Sequence, residues 1–420
     1  MYRLACGLCI WLSFTLCFAV TAQESLLSRD DIQGGLQYIV ANYERFIEKQ
    51  IQISEIPAPP FKEQTRAEFM AGEFKRVGLD EVETDAAGNV LGWRRGRSDG
   101  VLAITAHLDT VFPEGTDVRV TRNGDRLHGP GLMDDALGLM DLLALVETMD
   151  HAQLTTAEDL LFVATVGEEG LGDLRGVKQL FLNEPMKGRI DAFISIDGAS
   201  PRGITHRALG SKRYRITVNG TGGHSWADFG RVNPAHALGR IIASFTAMPV
   251  PTKPRSSYNI GRIGGGTSVN SIPFEAWMEV DMRSESNEAL QELEKVFLST
   301  VNQGIDAENL FRSTEGSKLT VDVDMIGDRP SGTIPRNDPL VVAAKWAAEV
   351  LDLEPHYGIG STDANIAISM GIPAISIGGG GIGGEAHSPS EWYDPREAHV
   401  GLQRILLLVM AYDQAAARVR

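Results

Sequence analysis

Cysteine is almost absent from this sequence of 420 residues. The only three cysteines, Cys6, Cys9 and Cys17, lie close to the amino terminus. The residues beyond them therefore form no disulfide with one another and supply no thiolate, which excludes a cysteine nucleophile and a thiolate zinc site from the rest of the chain. A chain of this length buries enough apolar surface to fold without such cross-links.

Positive charge is scarce, because 39 lysines and arginines face 55 acidic residues and leave a net charge of −16. This balance argues against nucleic acid or an anionic membrane surface as a partner. Two common hydrolase motifs are also missing, the zinc-binding HExxH helix and the GxSxG elbow of serine hydrolases. The chain has no tandem repeat, and its length suits two domains.

Long apolar runs are rare as well, and the exception is residues 4–20. Small residues ending at Ala22 follow this run, as is typical of a signal peptide that is cleaved. We therefore predict a signal peptide over residues 1–22 and an exported mature protein, periplasmic or secreted and not associated with a membrane. An uncleaved membrane anchor is the alternative, because a span requires about 20 apolar residues and residues 4–20 come close to that length. Lipid attachment through Cys17 is disfavoured by the bulky Phe14.

Four short apolar runs are each followed by residues capable of chemistry. The runs cover residues 101–106, 160–166, 192–196 and 373–377, and they lead to His107 and Asp109, to Glu168 and Glu169, to Asp197, and through a glycine run to His387. Such runs predict buried strands, and the amphipathic patterns between them predict helices. We expect an α/β fold, with a mixed, mostly parallel sheet sandwiched by helices and a ligand site at the carboxyl ends of the strands.

Residues 208–332 have a different pattern, with the order strand, helix, two strands, helix and strand. This order predicts a ferredoxin-like α+β domain. It is inserted into a larger catalytic domain, whose two parts we place at residues 23–207 and 333–420.

The residues after the predicted strands are nitrogen and oxygen donors, which suit a pair of zinc ions. His107 and Asp109 lie two residues apart at a strand end, so their side chains point the same way. One of them can bind metal while the other orients that ligand through a hydrogen bond. Of the adjacent Glu168 and Glu169, one can bind metal and the other can act on the attacking water. Taken alone, Asp134 is better explained as a helix N-cap than as a metal ligand.

Five motifs occur in one order: His107-Leu-Asp109, Gly129-Pro-Gly-Leu-Met-Asp134-Asp135, Gly167-Glu168-Glu169-Gly170, Ile196-Asp197-Gly198 and Ala386-His387-Ser388. Together they resemble the motifs of the M20 metallopeptidases, the group of carboxypeptidase G2, tripeptidase T and acetylornithine deacetylase. The resemblance implies a zinc-exopeptidase-like fold. The chain departs from it at Ala136 and Leu137, where many relatives have Lys-Gly, and at Ser361, where a second glycine is usual.

The resemblance also implies two zinc ions per subunit, which cobalt or manganese can replace. His107 and Asp197 would bind one ion, Glu169 and His387 the other, and Asp134 both (five metal ligands in all). Glu168 would be the general base and Asp109 the partner that orients His107. The peptide bond after the bridging aspartate is cis in relatives, so we predict a cis bond between Asp134 and Asp135.

For the inserted domain, the resemblance implies a lid and a dimerisation surface. The segment Gly222-Gly223-His224-Ser225 would bring His224 to the active site of the partner subunit in a homodimer. Asn270 and Arg283 match positions that hold a substrate carboxylate, and Thr362 lies in a loop that resembles the Gly-Gly-Thr-Asp-Ala loop of the family. We therefore count Asn270, Arg283 and Thr362 as predicted substrate-binding residues.

The predicted function is cleavage of amide bonds in short peptides by an exopeptidase of the di- or tripeptidase or carboxypeptidase kind. Hydrolysis of N-acyl amino acids is the alternative, since both substrates carry a free carboxylate. A non-catalytic binding protein is a remote alternative, because the base and every metal ligand are present. Residues 378–383 match a nucleotide-binding GxGxxG pattern. Because Glu385 and His387 follow this pattern where a helix should start, the sequence does not support a nucleotide site.

Overall fold

The structure is a computed structural model that describes residues 25–312 and 317–418. The predicted signal peptide lies outside the described residues. Two compact units are found, one made of Met1–Arg207 with Thr333–Arg420 and the other of Ala208–Gly332. In the described part of the chain, every helix is too short or too polar to cross a membrane.

The first unit is built on a sheet of nine strands, which are β1 (Asp80–Thr84), β2 (Val90–Arg94), β3 (Val101–His107), β6 (Asp159–Thr165), β7 (Ala192–Ile196), β8 (Gly203–Ala208), β15 (Gly332–Thr333), β16 (His356–Gly360) and β17 (Ala374–Ile377). Their order in the sheet is β1-β2-β6-β3-β7-β17-β8-β15, with β16 paired to β8. The central pairs β6–β3, β3–β7 and β7–β17 are parallel, whereas β1–β2 and β2–β6 are antiparallel. The predicted mixed, largely parallel sheet is thus confirmed.

Helices flank this sheet. They are α1 (Asp30–Ser54), α2 (Gln64–Arg76), α3 (Ala136–His151), α4 (Arg175–Leu182), α7 (Pro339–Glu349), α8 (Ala364–Ser369) and α9 (His399–Ala416). Strands β3 and β7 are buried along their whole length, because helices cover both faces of a parallel sheet. Helix α3 packs against β3 and begins after Asp135, whose side chain accepts a hydrogen bond from the Gly138 N–H. The residue that caps this helix is therefore Asp135 and not Asp134.

A small second sheet of the first unit adjoins the loop that leads to α3. It contains β4 (Thr121–Asn123), β5 (Arg126–His128), β18 (Ile382–Gly384) and β19 (Trp392–Asp394), in the order β18-β19-β5-β4. Strand β5 ends just before the Gly129-Pro-Gly segment, and His387 lies in the loop that joins β18 to β19. Pairing of β19 with both β18 and β5 therefore connects two segments that bear predicted metal ligands.

The second unit has the strand and helix order predicted for a ferredoxin-like domain. Its main elements are β9 (Gly210–Asn219), α5 (Pro234–Thr246), β11 (Ser256–Gly265), β13 (Glu275–Ser284), α6 (Asn287–Phe311) and β14 (Thr320–Arg329), and a short ribbon pairs β10 (Gly223–His224) with β12 (Ser271–Ile272). The four long strands are antiparallel in the order β11-β13-β9-β14. Phe245 of α5 and Phe297 of α6 meet in its separate core with ring centroids 4.9 Å apart.

Asp141 is an exception in the apolar interior of α3. Its side chain is completely buried, and neither carboxyl oxygen has a hydrogen-bond partner among the described residues. Burial raises the pKa of Asp141 well above its usual range, because a charged carboxylate loses its hydration there. The folded protein therefore holds this carboxyl as the neutral acid at pH values where the unfolded chain has lost the proton.

This difference predicts how stability depends on pH. Above about pH 4 the folded state binds one more proton than the unfolded state, because Asp141 is ionised only in the unfolded chain. The wild type therefore loses stability as the pH rises towards the pKa of Asp141 in the folded state. Asp141→Asn has a similar shape and no titration. We expect the free energy of unfolding of the wild type to fall relative to Asp141→Asn by up to about 1.4 kcal/mol per pH unit in that window. Urea unfolding at constant metal content measures this, and parallel curves for the two proteins would contradict it.

Candidate metal centre

His107 and Asp134 form the buried part of the candidate site. His107 is the last residue of β3, and its Nε2 lies 2.9 Å from Oδ1 of Asp134. Its Nδ1 lies 2.9 Å from the backbone oxygen of Asp109 and donates to it. The hydrogen bond at Nδ1 directs Nε2 towards Asp134, as expected for a histidine that binds a metal through Nε2.

The contact between His107 and Asp109 differs from the one that the sequence suggested. The nearest carboxylate oxygen of Asp109 is 3.8 Å from Nδ1 of His107, so the backbone carbonyl makes the hydrogen bond. The carboxylate instead accepts from the N–H groups of Glu168, at 3.0 Å, and Glu169, at 2.8 Å. Asp109 therefore orients His107 with its main chain and holds the Glu168-Glu169 turn with its side chain.

Asp134 faces a second histidine with its other oxygen. Its Oδ2 lies 3.0 Å from Nε2 of His387, and the same nitrogen lies 3.0 Å from Oε1 of Glu169. One carboxylate thus offers one oxygen to each of two histidines, which is the arrangement of a ligand that bridges two ions. The peptide bond between Asp134 and Asp135 is cis, which confirms that prediction.

The donor atoms are close enough for a metal ion. One ligand atom each from His107, Asp134 and Glu169 lie within 4.8 Å of one another. Asp197 follows β7 at the same edge of the sheet, and its N–H donates to the Ile377 carbonyl at 2.8 Å. Burial and the nearby charge of Asp134 raise the pKa of Asp197 to about 7, so its carboxyl lies within electrostatic reach of the cluster.

The electrostatics indicate that this cluster requires positive charge. Hydrogen bonds with Asp134 and Glu169 raise the pKa of His387 to about 10. Burial lowers the pKa of His107, but the hydrogen bond with Asp134 and the charge of Asp135 outweigh it and raise the pKa well above the usual value. The histidine protons balance the carboxylates here, and a divalent cation would supply the same balance. The nitrogen and oxygen donors therefore fit a metal site.

Asp135 and Arg66 support the site, and only the structure reveals how. The carboxylate of Asp135 accepts from the His107 N–H at 3.0 Å, so it ties the end of β3 to the start of α3. The fully buried Arg66 donates to the Leu108 carbonyl at 2.8 Å, between His107 and Asp109. The sequence signal for Asp135 was its place beside Asp134, whereas no local pattern marks Arg66 as anything but a helix residue.

Thr362 has a local structural contact. Its hydroxyl oxygen accepts from the Ala364 N–H at 3.3 Å, and its own N–H donates to Oδ1 of Asn365 at 3.0 Å. The hydroxyl thus accepts from the first backbone N–H of α8, and its predicted contact with substrate stays a prediction.

His224, Asn270 and Arg283 belong to the second unit. His224 is exposed on β10, and its Nδ1 accepts from the N–H groups of Trp226, at 3.2 Å, and Ala227, at 3.3 Å. A neutral His224 therefore carries its proton on Nε2. The Asn270 carbonyl accepts from the Ser225 N–H at 3.0 Å. Because Ser225 follows His224, this bond places the predicted residues His224 and Asn270 beside each other at the β10–β12 ribbon.

Arg283 has an acidic partner in the same strand. Its Nε donates to Oδ2 of Asp281 at 2.6 Å, and its side chain is 36% exposed. The predicted contact of Arg283 with a substrate carboxylate stays a prediction.

Comparison with known proteins connects this geometry with a family. A sequence profile described as Peptidase family M20/M25/M40 matches residues 103–411. A probable succinyl-diaminopimelate desuccinylase of Staphylococcus aureus (strain MRSA252) is 26% identical over 313 residues, or 64% of this chain and 72% of that protein. Carboxypeptidase G2 of Pseudomonas sp. (strain RS-16) is 23% identical over 75% of this chain and 76% of its own length. A tripeptidase structure from Staphylococcus aureus shares the fold, with a TM-score of 0.73 at 22% identity over 88% of this chain and 98% of that one.

The role found for the Asp109 carboxylate can be tested without a substrate. Asp109→Asn keeps one acceptor oxygen but turns an NH₂ donor towards the second N–H of the turn. Losing a buried hydrogen bond costs about 1–3 kcal/mol, so we expect amide hydrogen exchange at Glu168 or Glu169 to accelerate by roughly 10–100-fold in metal-free protein. The Leu108 N–H, which donates to the Thr165 carbonyl at 2.7 Å, is the internal control. Unchanged exchange at both glutamates would refute the assignment.

Proposed function

Because the chain belongs to peptidase family M20/M25/M40, whose members compared above are hydrolases of amide or peptide bonds, we propose that it is an exported di-zinc exopeptidase acting on short peptides. The observation that carries the proposal is the position of Asp134 between His107 and His387, with one oxygen facing each ring. A carboxylate that only caps a helix would face the first backbone N–H groups of that helix and not two histidine nitrogens.

We assign the ligands from the donor positions and the family resemblance. His107 and Asp197 would hold one ion, Glu169 and His387 the other, and Asp134 both. Zinc is the proposed metal because imidazole and carboxylate are donors that it accepts, and cobalt or manganese would bind to the same atoms.

The bound ions would supply a Lewis acid for the scissile carbonyl and a water of lowered pKa. Glu168 is the proposed general base, which would take a proton from the attacking water and pass it to the leaving amine. The residue is 6% exposed, and its backbone N–H donates to Asp109. The backbone at Glu168 is therefore held in place, and burial limits the access of bulk water to its carboxylate.

His224 is the proposed donor to the oxyanion. Because its Nδ1 accepts two backbone N–H groups, the neutral ring presents Nε2–H as a hydrogen-bond donor. Such a donor stabilises the charge that develops on the carbonyl oxygen in the transition state. We propose that His224 serves the site of a partner subunit in a homodimer, with the second unit as lid and dimerisation surface.

Hydrolysis of N-acyl amino acids is the second candidate, favoured by the relative described as a probable desuccinylase. Both substrate classes end in a carboxylate that Asn270 and Arg283 would hold. They differ in the group on the other side of the scissile bond, which is an amino acid in a peptide and an acyl chain in the alternative.

A substrate panel tests the proposal. Di- and tripeptides are assayed beside N-acetyl and N-succinyl amino acids, before and after removal of metal by a chelator. We expect hydrolysis of the peptides, its loss on chelation and its return with zinc, because the water would not be acidified without a cation. Faster hydrolysis of the acylated amino acids would favour the second candidate, and chelator-resistant activity of metal-free protein would overturn both.

The division of roles between the two adjacent glutamates gives a sharper prediction. Glu168→Ala should lose activity by about 10²–10⁴-fold and retain both ions, because Glu168 is assigned to the proton and not to metal. Glu169→Ala should lose metal as well, because its Oε1 lies 3.0 Å from the His387 nitrogen that faces Asp134. Metal analysis of both purified variants measures this, and equal metal contents would contradict the division.

A further inference from the structure

Glu391 is a buried carboxylate that the mechanism above does not use. It is completely buried and directly precedes β19. Its Oε1 accepts from the Met133 N–H at 2.7 Å, and its Oε2 accepts from the Gly131 N–H at 3.1 Å. Its backbone carbonyl accepts from the Gly129 N–H at 3.1 Å. A single residue thus holds three positions of the loop that ends at Asp134.

The same residue is tied to the segment of His387. The Glu391 N–H donates to the Ser388 carbonyl at 3.0 Å, and the Ser388 N–H donates to the Glu385 carbonyl at 3.1 Å. His387 lies inside this compact turn, with a left-handed φ of 63°. Glu391 is therefore a direct connection between the loops of two ligands that are 253 residues apart in sequence.

The environment of Glu391 offers N–H groups instead of a counterion. Burial raises the pKa of Glu391 to about 7, while the N–H groups of Met133, Gly131 and Asp134 favour its charged form. Among the described residues, no lysine, arginine or histidine forms an ion pair with it within 4 Å. Hydrogen bonds to a charged acceptor are stronger than neutral ones, and without Glu391 these buried N–H groups would lose their acceptor.

The loop that Glu391 holds has little freedom elsewhere. Gly131 has a φ of +71°, and a Cβ there would lie 2.6 Å from Cγ2 of Thr110. Gln50 donates to the Leu132 carbonyl at 2.8 Å from the other side. The position of the Asp134 carboxylate therefore depends on hydrogen bonds to the loop backbone, and Glu391 supplies such bonds from the chain segment that carries His387.

We propose that Glu391 is a positioning residue, which keeps the Asp134 carboxylate in register with His387 and so sets the spacing of the metal centre. The inference rests on the proposed metal-dependent function. It adds a role for a residue that binds neither metal nor substrate.

Glu391→Gln tests this role with minimal change of shape. The amide keeps one acceptor oxygen and turns a donor towards a loop N–H, so one contact is lost. Changing a residue that supports metal ligands typically weakens metal affinity by about 10–100-fold, and we expect a loss of this size for zinc. Competition with a chromophoric chelator measures the affinity, and the absorption spectrum of the cobalt-substituted protein reports the geometry around the ions. Both readouts are independent of turnover.

Glu308→Gln is the matched control. Glu308 is also completely buried, but it lies in the second unit, where it pairs with Arg240 at 3.0 Å. We expect Glu308→Gln to lower the melting temperature without changing zinc affinity or the cobalt spectrum. If Glu391→Gln behaves in the same way, Glu391 is merely structural and the proposal is overturned.

A second variant covers the case in which Glu391→Gln does not fold. Glu391→Asp keeps the charge but draws the carboxylate back by one methylene, so it should weaken zinc binding and shift the cobalt spectrum in a protein with native circular dichroism. Wild-type affinity and spectrum in this variant would overturn the proposal. If the wild type itself binds no divalent ion, the proposed function fails first, and the two failures are thereby distinguished.

Discussion

The structure around the candidate site depends on one constraint: carboxylates crowded at the end of a buried sheet require positive charge between them. Asp134, Glu169 and Asp197 approach one another where burial makes every unbalanced charge costly. The protonated rings of His107 and His387 supply positive charge, and the raised pKa of His387 reflects how strongly the neighbouring carboxylates favour that charge. Metal ions would meet the same demand, which explains why the donors lie so close together.

Backbone hydrogen bonds hold these donors in place. Strand ends and the loops that follow them leave N–H groups without partners in a sheet, and buried N–H groups need acceptors. The carboxylates of Asp109, Asp135 and Glu391 provide them at the Glu168-Glu169 turn, at His107 and at the Gly131–Met133 loop. Acidic residues thus have two uses in this protein, since some face the cluster and others fix the chain that carries it.

Peptide and N-acyl substrates make the same demands on this cluster, because both present an amide carbonyl and release an amine. The fold and the cluster alone therefore do not select between them. Under the proposed function, selection would depend on residues such as Arg283 of the second unit, whose guanidinium pairs with Asp281. Two proteins with this same cluster would then differ in substrate through a few contacts of that unit.

The sequence by itself predicted the four buried strands that precede the proposed donors and the order of strands and helices in residues 208–332. Apolar runs such as residues 101–106 encode burial, and the residues just after them must lie at one edge of a parallel sheet. Motif order was sufficient to predict the family and the cis bond after Asp134. The burial of the strands follows from local periodicity, whereas the family and the cis bond follow from the resemblance of the five motifs to those of a known family.

Only the tertiary structure decided which atoms meet. It assigned the contact with His107 to the carbonyl of Asp109, and it revealed Arg66 and Glu391 as supports. Glu391 and Gly131 are 260 residues apart, and their contact is a side chain meeting a backbone N–H, a group that every residue except proline carries. Because no residue type or spacing marks that N–H as the partner, folding alone selects it.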